Sequence, residues 1–348
     1  MDKISKEKKW IILSIVFSLA IIFIILYLTI DKDTFLLYLS QIKPVFLLLG
    51  ILSHVSSWFF WGVRISFMSK MSKPGCKVGI RDGVQIAIAN TFLAAVTPSM
   101  AGGEPVRIHL LSRRGLGSGC ATAVVLSERI FDAILILVLV PFAVIVFQSM
   151  IGNNIVKFGL LVGLMLFVAG IVLFAYAVVH PDKVKKFLIG LDRLFEKVLP
   201  SVRKKFDTTV VLKKIDEFAN EFRRGAKFIF RMRNIKGVFV IFLVTALYWV
   251  AEFAVASFVL MGLNYDPIWV QSFAAQILLL IVIMIPLTPG SSGLAEGFSG
   301  LLYSTLVTKS LLGVFIFIWR FITFHLNIIV GGLFQYKVFK SVLPKKKK

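Results

Sequence analysis

The chain has 348 residues, 58% of them hydrophobic, with a mean hydropathy of +0.88. That composition excludes the surface-to-core mixture of a soluble domain and indicates a polytopic membrane protein. Forty Lys+Arg against eighteen Asp+Glu give a formal net charge of +22, an excess that reflects basic cytoplasmic loops facing anionic headgroups rather than a nucleic-acid partner. Two cysteines, Cys76 and Cys120, and four scattered histidines, His54, His109, His180 and His325, form neither a disulfide framework nor a metal-ligand spacing, and no cofactor is expected.

The first apolar run, residues 10–30, follows Lys3, Lys6, Lys8 and Lys9 and lacks a small-residue cleavage site. It reads as a retained transmembrane helix with the amino terminus in the cytoplasm. A second span over 44–67 returns to a loop carrying Lys70, Lys73, Lys77 and Arg81. The next apolar stretch, 83–96, is short and meets a break, Thr97-Pro98-Ser99-Met100-Ala101-Gly102-Gly103-Glu104, followed at once by Arg107, Arg113 and Arg114. Inside-type charge on both flanks implies a segment that enters the membrane and turns back, a re-entrant hairpin over 82–115.

Residues 119–147 then cross outward to Gly152-Asn153-Asn154, and 156–179 return. The large polar segment 181–236 holds sixteen Lys+Arg against seven Asp+Glu, about +9 net, which assigns it to the cytoplasm. Apolar residues recur at helical spacing on both sides of Pro200: Val184, Phe187, Leu188, Leu191, Leu194, Phe195 and Val198 before it, Ile215, Phe218 and Phe222 after it. Two amphipathic helices follow from this, read either as a linker packed on the protein or as helices lying on the anionic leaflet.

Residues 237–261 cross outward to Asn264-Tyr265-Asp266-Pro267, a loop with no Lys or Arg. The run 269–287 meets a second break, Thr288-Pro289-Gly290-Ser291-Ser292-Gly293-Leu294-Ala295-Glu296, and continues as 298–307. A last long helix, 311–336, ends inside before Lys337, Lys340 and the lysines at 345–348. The segment 268–308 therefore begins and ends outside, a second hairpin entering from the opposite face.

The expected architecture is an all-α polytopic membrane protein with two inverted-topology repeats, each three spanning helices plus a re-entrant helical hairpin. The boundaries are a first membrane repeat over 1–180, basic cytoplasmic helices over 181–236, a second membrane repeat over 237–340 and a basic tail over 341–348. The alternative is that loop charge misleads and both hairpins are short helices with a proline kink. The expected setting is the plasma membrane, multi-pass, with amino and carboxyl termini cytoplasmic.

Both breaks open on Thr-Pro, pass through small residues and end on a Glu, so each can unwind a helix and leave a carboxylate beside exposed backbone. Pro98, Gly102 and Gly103 form one tip, and Pro289, Gly290 and Gly293 the other. Charges inside apolar segments cost a few kcal/mol each unless paired or hydrated, which singles out Glu128, Arg129, Asp132, Glu252 and Arg320. Glu128 and Asp132 share a helix face, and pairing is invited between Arg129 and Glu104 or Glu296, and between Arg320 and Glu252 or Glu296. These groups either fix helix register as buried pairs or line a water-filled cavity that receives a headgroup. Arg64, Arg113 and Arg114 fall where the inner leaflet meets water and suit bidentate phosphate capture, although such residues also serve as simple topology signals. The tryptophans Trp58, Trp61, Trp249, Trp269 and Trp319 read as belt or packing residues.

Pro98-x-x-x-Gly102-Gly103-Glu104-Pro105-x-Arg107, then Glu128-Arg129-x-x-Asp132, then Pro289-Gly290-x-x-Gly293-x-x-Glu296 resemble, in this order and spacing, the lysylphosphatidylglycerol synthase/flippase transmembrane family. The resemblance spans about residues 10–336. It implies a membrane domain that moves lipid headgroups between leaflets, with Glu104, Arg107, Glu128, Arg129, Asp132 and Glu296 in the headgroup path. Synthases of that family add a large soluble catalytic domain; nothing after Tyr336 could be one, so synthesis is not expected. Ser291-Ser292 also stands where typical relatives carry a further glycine. The function expected is a lipid flippase or scramblase-like transporter moving phospholipid or related lipid-phosphate headgroups. A membrane enzyme acting on lipid phosphates and a non-transporting anchor are the alternatives. The expected partners are membrane lipids, anionic or aminoacylated phospholipid, with a homo-oligomer left open.

Overall fold

The computed structural model describes residues 40–96, 103–148, 208–229, 235–283 and 291–333, with isolated positions between 161 and 190. Among the described residues all regular structure is helical, and four helices are long and apolar enough to cross a membrane. These are α1 (Pro44–Ser72), α4 (Ser118–Val146), α6 (Ile235–Gly262) and a helix over Lys309–Leu333 that begins as α9 (Lys309–Arg320) and passes through a π-helical turn, Phe321–His325. They coincide with four of the expected spans. The expected span at 10–30, the tips Pro98, Gly102, Pro289 and Gly290, and the tail at 341–348 lie outside the described residues, and 156–179 is described only at isolated positions.

α1 and α6 form an antiparallel pair along their whole length. Pro44 opens α1 at a position where a missing N–H costs nothing, and the Lys43 N–H just before it donates to the Gly262 carbonyl at the end of α6, 2.8 Å away. Farther along, Ser53 donates to the Ala251 carbonyl at 2.8 Å, Arg64 reaches Thr245, and Met71 lies against Gly237.

Each break is flanked by a pair of short helices that pack together: α2 (Ile80–Val96) with α3 (Gly103–Leu111), and α7 (Trp269–Ile283) with α8 (Leu294–Tyr303). At 1.5 Å rise per residue α2 is about 25 Å long and the others shorter, none enough to cross the hydrocarbon core comfortably. α8 starts at Leu294 and stops at Tyr303, four residues earlier at each end than the hydrophobic run 298–307 implied. Gly293 sets that start: at φ 90° it caps the helix, and its N–H donates to Glu296 at 2.6 Å. α2 reaches α1 at a glycine crossing, since a Cβ on Gly83 would strike the Gly62 carbonyl.

α5 (Thr208–Ile229) is the second of the two amphipathic helices. It buries Ala219, Phe222, Ala226 and Ile229 against the first turns of α4. Gly119 permits the approach, because a Cβ there would collide with the backbone of Phe218 and Phe222. The Glu221 carboxylate accepts the Gly119 N–H at 3.0 Å, which satisfies a donor at the N-terminus of α4. This helix of the basic segment is thus packed on the protein, with Arg223, Arg224 and Lys227 exposed.

Buried apolar side chains gather in two main clusters. One joins α1, α2, α3 and the first half of α4 around Ile65, Met68, Leu111 and Val124. The other joins the ends of α4 and α6 to α7, α8 and α9 around Leu260, Leu278, Tyr303 and Phe315.

Candidate functional site

A cavity of about 570 Å³ is lined by side chains from both sets of helices. Its polar wall carries Glu104 from α3, Arg129 and Asp132 from α4, His54 from α1, Glu252 from α6 and Arg320 from α9. Apolar side chains such as Leu126, Ile136, Leu279 and Phe324, with the rings of Trp58, Trp249 and Trp319, form much of the remainder.

α4 supplies most of the charge. Glu128 and Asp132 stand one turn apart on a single face, and the Arg64 guanidinium spans them: Nε donates to Glu128 at 3.1 Å, and Nη1 to Asp132 at 2.6 Å and to Thr245 at 3.2 Å. Arg107 pairs with the other Glu128 oxygen. The indole N–H of Trp61 donates to Glu128 at 3.1 Å and that of Trp249 to Asp132 at 3.0 Å. The rings add contacts beneath the guanidiniums, with Arg107 5.1 Å from the Trp61 centroid and Arg64 5.3 Å from that of Tyr248. Buried charge is tolerated here because each carboxylate meets an arginine and an N–H donor.

One of the expected assignments changes. Arg64 does not sit with Arg113 and Arg114 at the surface: its side chain is 1% exposed and committed to Glu128 and Asp132, because α1 continues past it to Ser72. Trp61 and Trp249 follow the packing reading rather than the belt one, and their indole N–H groups also donate to the buried carboxylates. Arg113 and Arg114 do remain at the exposed end of α3, where Arg114 pairs with Asp82.

Arg129 differs from the other arginines of the cluster. Its side chain is 42% exposed, and it meets Glu104 and Asp132 only loosely, at 3.6 and 3.5 Å. Glu104, on the first turn of α3, is itself 34% exposed. Arg107, Glu128 and Glu296, expected in the headgroup path, lie behind the wall with no exposed surface. Glu296 holds the Gly293 N–H with one oxygen and Arg320 Nε with the other, at 2.8 Å. Arg320 reaches the cavity from this pair, lying 4.2 Å from the Phe324 centroid. Of the hairpin-tip glycines within the described residues, Gly103 packs on Asn90 and Gly293 caps α8.

Glu252 pairs with neither Arg129 nor Arg320 but with His54, 3.1 Å away, and with the Ser57 hydroxyl. His54, Ser57, Thr245 and Asn327 escaped the sequence reading. A histidine, a serine and a glutamate on the inward faces of two apolar helices were the available signal, but nothing in the sequence states that α1 and α6 run side by side. Among the described residues no three His, Cys, Asp or Glu side chains converge in a way that would hold a metal ion.

The model of the lysylphosphatidylglycerol synthase TM region matches residues 11–331. A UPF0104 membrane protein of Archaeoglobus fulgidus is 34% identical over 302 residues, 86% of this chain and 88% of that protein. Another from Methanocaldococcus jannaschii is 23% identical over 348 residues, 99% of this chain and 98% of its own length. No solved structure matches the chain. With the motifs around both breaks inside the matched region, the chain belongs to the lysylphosphatidylglycerol synthase transmembrane-region family.

Proposed function

We propose that the protein is a lipid transporter that carries a phospholipid or related lipid-phosphate headgroup between leaflets, with no chemical change to the lipid. The cavity is the observation that carries this reading. It joins an apolar lining to a half-exposed guanidinium, that of Arg129, whose two carboxylate partners are loose enough to yield to a phosphate. The sealed neighbours Arg64 and Arg107 hold the wall, while Arg129 and Arg320 face the cargo. Glu104, Asp132 and Glu252 balance them and offer contacts to a cationic headgroup group. The cargo class is anionic or aminoacylated phospholipid, in line with the family's name.

In this reading α2/α3 and α7/α8 are re-entrant hairpins entering from opposite faces, one in each of two inverted repeats, in a plasma-membrane protein with both termini cytoplasmic. Rocking of one repeat against the other opens the cavity alternately. Single-cysteine reporters at Arg114 and Ser304, both exposed, are expected to react with impermeant reagents from opposite sides of the membrane; reaction from one side overturns the inverted arrangement.

The function is tested by reconstituting the purified protein in vesicles with a fluorescent phosphatidylglycerol and an impermeant quencher. Wild-type protein is expected to move the lipid to the protected leaflet, and Arg129→Ala to lower the rate at least tenfold with the protein still folded. An undiminished rate in Arg129→Ala removes the headgroup role, and a chemically altered lipid in the vesicles would make the protein an enzyme instead.

A further inference from the structure

At the cavity that Arg129 lines, His54, Glu252 and Asn327, with the buried Ser57 behind them, are four side chains from three helices whose hydrogen bonds have room for more protons than neutral histidine and serine supply. His54 is buried on α1, with its Nδ1 3.1 and 3.2 Å from the two oxygens of Glu252 on α6. Its Nε2 lies 3.2 Å from Oδ1 of Asn327, in the last described part of the helix that begins as α9. The amide of Asn327 cannot be turned to offer a donor there, because its nitrogen donates to the Thr323 carbonyl at 2.6 Å. Both ring nitrogens therefore face acceptors, and an imidazole that satisfies both carries two protons.

Ser57 extends the same accounting. Its oxygen is 2.7 Å from the His54 carbonyl and also contacts a Glu252 oxygen, yet a hydroxyl has a single hydrogen to give. If that hydrogen goes to the carbonyl, the remaining contact is satisfied by a proton on Glu252. The cluster thus accepts a proton at the imidazole, at the carboxyl group, or at both, and Glu252 opens on the cavity.

We propose that His54 and Glu252, with Ser57 and Asn327, form a proton-binding site, and that the proton is the ion coupled to cargo movement. The proposal rests on the transporter reading for its second half only. A proton on Nε2 ties α1 and α6 to Asn327. Its loss places two lone pairs face to face across that contact and weakens the polar tie between the last helix and the α1/α6 pair. The charged groups sharing the cavity are Glu104 from α3, Arg129 and Asp132 from α4, and Arg320 from α9. α6 adds the Tyr248 hydroxyl, and α2 and α7 contribute the neutral Asn90, Thr91 and Gln276. The π turn holds His325, whose Nδ1 faces the Arg320 carbonyl at 3.2 Å.

Two measurements separate the site from its use. In the first, protein with ¹⁵N-labelled histidine is followed by NMR from pH 5 to 9, with His54 identified by elimination using H109Q, H180Q and H325Q. The His54 ring is expected to pass between a doubly and a singly protonated form within that range and to lose this transition in Glu252→Gln. A ring that stays neutral throughout, or one indifferent to Glu252→Gln, overturns the site even if lipid moves. In the second, vesicles with fluorescent phosphatidylglycerol are given a pH gradient of one unit. One coupled proton shifts the steady-state leaflet ratio by up to about tenfold per pH unit, and His54→Gln is expected to abolish the shift. Wild-type movement that ignores the gradient overturns the coupling, whereas absence of movement under all conditions overturns the transporter reading and the coupling with it, leaving the NMR result to decide the site.

Discussion

Glu104 and Glu296 close the two breaks of the chain in the same way, within the first turn of the helix that follows, and arrive in opposite surroundings. Glu296 has no exposed surface: one oxygen caps Gly293, the other holds Arg320. Glu104 is a third exposed and faces Arg129 at 3.6 Å in the cavity wall. A repeated motif has therefore been divided between two tasks. At the second break the carboxylate is consumed in holding the helix start and a buried arginine. At the first break the buried arginines are held instead by Glu128 and Asp132 on α4, and Glu104 and Arg129 stay partly exposed at the cavity.

The comparison is most easily broken at the buried cluster. Arg64→Ala leaves Glu128 and Asp132 short of their shared cation, and removing one partner from a buried pair costs about 3–5 kcal/mol. The expected outcome is loss of folded protein or a large fall in the thermal midpoint in detergent. A midpoint close to wild type would mean that Arg107 and Arg129 suffice to hold α4. Glu296→Gln is a smaller change, since an amide oxygen still accepts from Gly293 or Arg320 while the charge is lost; ~1–3 kcal/mol is expected, read as a moderate fall in the same midpoint. Glu104→Gln should shift stability by less than ~1 kcal/mol, as for other exposed pairs, yet change lipid movement in vesicles. If Glu104→Gln unfolds the protein while Glu296→Gln spares it, the division of tasks is reversed. Arg114→Ala breaks an exposed pair with Asp82 and is expected to alter the midpoint least, again by less than ~1 kcal/mol.

Much of this molecule was legible because the signals are local. The four described spans follow from hydropathy, and the sharing of one face by Glu128 and Asp132 follows from helical period alone, as the single guanidinium bridging them bears out. Two candidate pairings anticipated from depth in the membrane, Arg129 with Glu104 and Arg320 with Glu296, occur. The start of α8 was misplaced because a hydrophobic run does not reveal that Gly293 and Glu296 cap the helix before it. Arg64 was misplaced for a related reason: loop charge marks the end of a helix only coarsely, and α1 runs two turns beyond that arginine.

What the sequence alone determined is the kind of molecule and the stock of polar groups it carries into the membrane. Apolar runs long enough to span a bilayer and the excess of basic residues between them are one-dimensional properties of the chain. What only the tertiary structure decided is which charges are sealed and which remain available. Arg64, Arg107 and Arg129 are alike as residues, but the packing of α1 and α3 on α4 seals the first two against Glu128 and leaves the third, loosely paired with Glu104 and Asp132, exposed at the cavity. The same pairing sets His54 against Glu252, 198 residues away in the chain. Hydropathy and helical period fix where a side chain lies along and around its own helix, whereas its partner depends on how closely two helices approach, and that distance is set by small residues and packing across the interface.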